Sequence, residues 1–437
     1  MFSSPANPLT NLTLKANPIL RARVGNLKVS DPWLLLDTAP HVIYWQSRNS
    51  DELWCGVGES YGDPLLSTAL RVQESIEGVE DLPFKPRCFG MTRFHPYGPA
   101  ASDWEGFPQR GYWIPRLQIR YRGTERDVII IEDKHHISDP EIDMLPVFDP
   151  MFEKTSPNSL VEERSNLSRD DWRTAVRTIQ SRIESGILEK TVLARQLELT
   201  AEKRISAAAV MQRLAQSSPE SYLFAYRHPR SGIFFGASPE RLFHLKDQTV
   251  SVDSLAGTRP RNTGAQTDQE LAHELVLSDK DKKEQRFVTD YVLDKLTPLC
   301  SELKVSDLQV KNLATVQHLY NSITGNLLSP TDHYTAAETI LERLHPTPAI
   351  CGVPTDAARQ LIEELEPNPR GLYAGAIGMA DNRSAEFAVA IRSGLLRDNR
   401  AILFAGAGIV AESVADEEFT ECDWKFAALR QALFSEA

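Results

Sequence analysis

Residues 401–431 read AILFAGAGIVAESVADEEFTECDWKFAALRQ, and the rest of the chain is organised around them. Residues 401–404 are a short apolar run of the kind a buried strand uses, and the Ala-Gly-Ala-Gly of 405–408 predicts a tight backbone turn. Ser413 with Asp416 three residues on marks a helix start, and the periodicity that follows puts Cys422, Phe426, Leu429 and Leu433 on a buried stripe. Glu418, Glu421 and Lys425, spaced i, i+3, i+7, share the face beside that stripe. Two carboxylates and an ammonium at the mouth of a glycine turn can hold a divalent cation and an anionic small molecule together. A solvated helix face with an ordinary ion pair is the competing reading.

With 437 residues, 41% hydrophobic and 25% charged, the chain has the composition of a soluble globular protein and room for one large or two to three ordinary domains. A formal net charge of −12 argues against a nucleic-acid partner and against an anionic membrane surface, so an anionic ligand needs local basic residues. The five cysteines (Cys55, Cys88, Cys300, Cys351, Cys422) are scattered and lack metal-ligand spacing, which predicts reduced, mostly buried thiols of a cytoplasmic protein. Residues 1–26 contain no sustained apolar run, so neither a secretory signal nor a membrane anchor is expected, although Arg21 and Arg23 in an acid-free leader leave an organelle transit peptide open.

Short apolar or β-branched runs at 33–36, 42–45, 53–58, 112–121 and 127–132 predict a mostly antiparallel sheet, and proline-rich 140–166 reads as a connection. A helix follows, with Trp172, Val176, Ile179 and Ile183 on one face and Gly186 as its stop. Next, 187–200 alternates so that Leu188, Lys190, Val192 and Ala194 share a side. Aliphatic neighbours disfavour an ammonium and would make Lys190 a proton acceptor; the alternative is a strand-end lysine that reaches out to water. In GASPERL (236–242), Pro239 fixes the backbone just before Glu240, whose carboxylate then projects from a rigid corner as a general acid would, unless the pair Glu240/Arg241 is a plain surface turn.

SLAGTRPR (254–261) places Gly257 and Thr258 in a strand-to-loop turn whose N–H groups and hydroxyl suit a carboxylate or hydroxyl ligand. In the helix from Asp279, the apolar stripe Phe287, Val288, Tyr291, Val292 extends back onto Glu284, with Asp281 a turn earlier. Buried carboxylates need partners, and a cation shared with Glu418 and Glu421 through oxygen ligands alone points to Mg²⁺. TVQH (315–318) reads as a strand ending at His318, 344–349 as a rigid extended loop, 371–378 as a glycine-laced strand, and 386–392 as a strand ending on Arg392, a carboxylate fork.

Lys190, GASPERL, SLAGTRPR, SDKDKKE, TVQH, LHPTPA, GLYAGAIG, AIRSG, AGAGIV and EFTECDWK, in that order over residues 168–433, resemble the chorismate-utilising enzymes: anthranilate, aminodeoxychorismate, salicylate and isochorismate synthases. The resemblance implies an α+β fold, one large chorismate-binding unit of two facing, mostly antiparallel sheets with outer helices. Residues 1–165 would be the N-terminal sheet-forming part of it, and 166–437 the catalytic part. It makes Lys190 the base that activates water and Glu240 the acid that protonates the departing hydroxyl. Glu284 and Glu421 would hold Mg²⁺ with Asp281 and Glu418 in support, and Gly257, Thr258, His318, Tyr373, Arg392, Gly406, Gly408 and Lys425 would line the chorismate pocket. Ala256 stands where aminodeoxychorismate synthases commonly carry a lysine, and LHPTPAICG looks like isochorismate synthases. Together with Lys190 this implies an isomerase using water rather than ammonia, with no amidotransferase subunit as partner. Its product would feed quinone, siderophore or salicylate synthesis. A salicylate synthase and a non-catalytic chorismate-binding protein are the alternatives. Gln285 departs from the histidine frequent in the family after the metal-binding glutamate.

Overall fold

The computed structural model describes residues 19–25, 31–96, 98, 102–134, 158–228, 231–261, 264–313, 315–328 and 333–434. Antiparallel pairs build two large sheets, of twelve and ten strands. In the first, Val42–Gln46 from the N-terminal part pairs with Tyr222–His228, and the order continues through Gly232–Ser238, Ser393–Arg397 and Arg400–Ile409 to Lys190–Ala201. In the second, Cys88–Thr92 pairs with Ala376–Ala380, and Thr249–Pro260 lies against Val316–Leu327. Strands from before residue 134 thus enter both sheets. Among the described residues no helix is long and apolar enough to cross a membrane.

The helices follow the sequence signals closely. Arg169–Glu184 begins in a capping box between Ser168 and Asp171 and buries Trp172, Val176 and Ile179. Trp172 meets Phe419 edge-on at 5.7 Å and donates from Nε1 to the Ala415 carbonyl at 2.9 Å, which seats the C-terminal helix Ala415–Phe434. That helix buries Cys422, Phe426, Leu429 and Leu433 as its periodicity predicts. All five cysteines are free and buried.

Several local expectations are corrected. The expected turn at 405–408 is continuous strand, with Gly406 opposite Ala194 and Gly408 opposite Val192; these glycines make room for neighbouring side chains rather than bend the chain. The expected strand-to-loop turn at Gly257 and Thr258 is a bulge inside Thr249–Pro260, with Gly257 left-handed at φ +66°. His318 stands near the start, not the end, of Val316–Leu327. The 33–36 run enters the helix Leu35–Thr38, because Asp31 accepts the Trp33 N–H at 2.9 Å and Pro32 sets the first turn. Residues 112–121 divide at Pro115, which has no N–H for a ladder, into Arg110–Ile114 and Leu117–Arg122. Of 371–378 only the end is strand, Ala376–Ala380. Within the expected connection, 140–157 lie outside the described residues, and Leu160–Ser165 is a strand on Lys190–Ala201.

Two crossings between the sheets matter most for the site. The chain leaves Gly232–Ser238 in the first sheet and enters Arg241–Lys246 in the second through Pro239 and Glu240. It returns from Ser384–Val389 to Ser393–Arg397 through residues 390–392. The corners are tied together, since Ala237 N–H donates to Arg392 O at 3.0 Å and Val389 N–H donates to Glu240 O at 3.1 Å.

Candidate active site

Between these corners and the paired strands opens a cleft. Glu240, Gly257, Thr258, Glu284, His318, Tyr373, Arg392, Gly406, Gly408, Glu421 and Lys425 all line it. Lys190 does not; it stands behind Gly408, its Cε 2.9 Å from the place a Cβ would take there. Asp281 and Glu418 line an adjoining depression that Glu284 and Glu421 share with the cleft. Sequence reasoning missed the apolar wall of Val192, Ile350, Ile391 and Phe404. Val192 was accessible to it, lying two residues from Lys190 on the same side of a strand; Ile350 sits in a loop without periodicity.

Glu240 is 4% exposed, and its backbone N–H donates to Ser238 Oγ at 3.2 Å. Burial, reinforced by the Asp253 charge and opposed by Lys190, Lys311 and Lys425, pushes its carboxyl up to about 8. That shift favours the protonated form of a carboxyl that lines the cleft.

At the other corner Arg392 takes φ +50°, a left-handed backbone conformation uncommon for a residue with a side chain. His318 orients it. The carbonyl of Gly257, 2.8 Å from His318 Nδ1, can only accept, so Nδ1 carries the hydrogen and bare Nε2 accepts from Arg392 Nη2 at 3.3 Å. Burial and the Arg392 charge hold the imidazole well below its ordinary range, so it stays neutral. Across the cleft Lys425 donates to Gly406 O at 2.7 Å and to Glu421 Oε1 at 2.6 Å. The Tyr373 ring stacks on Phe404 at 5.3 Å.

In the depression four of the acids have a basic partner close by. Glu284 lies 2.8 Å from Lys190, Glu418 2.6 Å from Lys280, Glu421 2.6 Å from Lys425 and Asp281 2.9 Å from Arg259. Among the described residues no group of three or more acids, histidines or cysteines is arranged to hold a metal ion. Glu284 sits at the rim of its helix stripe rather than on it, for the fully packed positions are Asp281, Gln285, Val288, Val292 and Leu296. Burial works against its charge, but Lys190, with Lys280 and Lys425 behind, holds the carboxyl below its usual range. Lys190 is wholly buried, with its Nζ 2.8 Å from Glu284 Oε1. Gln285 donates to Ser254 O, Ser254 Oγ and Asn321 Oδ1, fastening the helix to the second sheet.

A family model described as chorismate binding enzyme matches residues 13–434. The isochorismate synthase MenF of Bacillus subtilis (strain 168) is 32% identical over 90% of this chain and 84% of that protein. The salicylate biosynthesis isochorismate synthase of Pseudomonas aeruginosa is 31% identical over 95% and 90%. Among solved structures, MenF, the menaquinone-specific isochorismate synthase from Escherichia coli, superposes with a TM-score of 0.81 at 29% identity, covering 95% of each chain.

Proposed function

Because the chain belongs to the chorismate-binding enzyme family, we propose that it is an isochorismate synthase, an isomerase that adds water at C2 of chorismate and releases the C4 hydroxyl. The observation that carries this reading is the buried, protonated Glu240 facing a cleft with Lys190 behind its glycine wall. Lys190 takes a proton from water as the C2–O bond forms, the ring double bonds shift, and the C4–O bond breaks as Glu240 gives its proton to the departing oxygen. One water enters and one leaves, so the sum is an isomerisation. Lys190 must first part from Glu284 and release a proton to solvent, since an ammonium has no lone pair to offer.

Chorismate is a dicarboxylate, and Arg392 and Lys425 supply positive charge at the cleft for its enolpyruvyl end. The ring carboxylate belongs beside Glu284 and Glu421, an approach that acids alone would repel. Asp281, Glu284, Glu418 and Glu421 bring the oxygen donors a divalent cation prefers to one depression, where each is now held by a basic side chain that a cation would have to displace. Burial and the neighbouring Glu421 charge push Glu418 up to about 7, a crowding that a dication relieves. Glu284 and Glu421, with Asp281 and Glu418 in support, would hold Mg²⁺. Bound there, Mg²⁺ supplies positive charge that draws electron density toward the ring carboxylate and favours attack at C2. Water as nucleophile makes an amidotransferase subunit unnecessary, and the cytoplasm is the compartment we assign.

Incubating the purified protein with chorismate and Mg²⁺ and identifying the product tests the proposal. Isochorismate is expected, with activity lost on chelation and restored by Mg²⁺. Salicylate with pyruvate as the main products, or an aminated product in ammonium, would replace this reading with another member of the family.

A further inference from the structure

We propose that Arg48, Asp253 and Lys311 form a positioning cluster that aims Glu240 into the cleft and sets the charge around its carboxyl. The inference rests on the reading of Glu240 as the proton donor. Two separate pieces of chain converge on the one carbonyl that precedes Glu240, and a third, carrying Asp253, ties the two together. Arg48, just after the Val42–Gln46 strand, approaches Pro239 O at 3.5 Å through Nη1, and Lys311 donates to the same oxygen at 3.2 Å. Both cations also hold Asp253, whose side chain is wholly buried. Arg48 grips it through two nitrogens, Nη2 at 3.0 Å from Oδ1, and Lys311 Nζ lies 3.5 Å from Oδ2. Tyr320 adds a hydroxyl donor at 3.4 Å.

This is a costly arrangement to bury, and its cost is met by mutual satisfaction of charges rather than by contact with solvent. None of its members lines the cleft, so substrate binding does not explain it. What it reaches is the corner. A backbone oxygen held by Lys311, with Arg48 at the edge of hydrogen-bonding range, is restrained, and the following residue inherits that direction. The cluster also shapes the electrostatics. Glu240 faces the Asp253 charge, which disfavours losing its proton, and the Lys190, Lys311, Lys425 and Arg392 charges, which favour it. Arg48 comes from the N-terminal third, which therefore contributes to the chemistry without touching the substrate.

The two charges of opposite sign give a test that a merely structural cluster would fail. Asp253→Asn keeps the shape and removes a repulsion, so Glu240 should release its proton at lower pH. Lys311→Met removes an attraction and leaves the Arg48–Asp253 pair in place, so release should move to higher pH. The basic limb of the kcat profile should shift in these opposite directions by about 0.5–1 pH unit. The infrared band of the protonated carboxyl, identified by its loss in Glu240→Gln, should shift with it. If the band fails to move, or moves the same way in both variants, the cluster does not act on Glu240 and the inference is overturned. If the band moves as stated while the kcat limb stays put, the coupling stands and Glu240 is not the donor. Should Asp253→Asn fail to fold, Lys311→Met alone decides, since an unmoved or lowered midpoint contradicts the inference.

Discussion

Glu240 and Glu284 line the same cleft, are both shielded from water, and stand in opposite states. Glu240 is raised to about 8 while Glu284 is held below its usual range. What separates them is the distance to an ammonium. Glu284 has Lys190 at 2.8 Å, worth about 6 kcal/mol of attraction at an effective dielectric near 20, which matches the several kcal/mol that burying a charge costs. Among the described residues Glu240 has no cation in ion-pairing contact, the Asp253 charge opposes its ionisation, and so burial prevails. The comparison teaches that burial poses a carboxyl the question and the nearest counter-charge answers it. One cleft can then hold a carboxyl that favours its proton and one that favours its charge.

The severest test removes the chemistry. Glu240→Gln and Lys190→Ala should each lower kcat by about 10² to 10⁴ fold with little change in chorismate binding. Steady-state kinetics with a direct binding measurement will show it, and a variant that keeps kcat and loses affinity would make that residue a substrate contact.

Next comes pH. Folding raises Glu240 from 4.5 to about 8, so between those values the folded chain keeps a proton that the unfolded chain has released. Its contribution therefore favours folding most at the acid end and falls as pH rises through 8. Urea titrations from pH 5 to 9 should show the unmodified protein losing on the order of a few kcal/mol relative to Glu240→Gln. Parallel curves would mean that Glu240 is not raised.

The Glu284 side is sharpened by Gly408→Ala. The added Cβ would come 2.3 Å from Glu284 Oε1 and 2.9 Å from Lys190 Cε, so the carboxylate must move. Calorimetry should show divalent-cation affinity falling about 10 to 100 fold with the melting temperature little changed. Unaltered affinity would place the cation elsewhere. Smallest is His318→Gln, which keeps a polar group but loses the bare Nε2 aimed at Arg392; KM should rise by about tenfold with kcat nearly constant.

Much of the site was legible in the residues because its parts obey local rules. Pro239 had to stiffen the corner before Glu240, and alternation in the Lys190–Ala201 strand put Lys190 and Val192 on one side. The heptad-like spacing of Cys422, Phe426 and Leu429 turned Glu421 and Lys425 toward the cleft. The glycines of 405–408 misled, since local composition does not separate a turn from a strand pressed against bulky neighbours. Glu284 was expected on its helix stripe and lies at the rim, one position from Gln285, which the packing takes instead.

By itself the sequence determined which residues are candidates for the chemistry, the order of the motifs and the helix that presents Glu421 and Lys425, because these depend on short-range periodicity and on side-chain type. Only the tertiary structure decided which charge meets which. Lys190 and Glu284 are far apart along the chain, as are Arg48 and Asp253, and both pairs exist because antiparallel pairing and two sheet crossings bring those positions together. Since Coulomb interactions depend on distance through space, the protonation of Glu240 and the charge of Glu284 became readable only once the fold had set those distances.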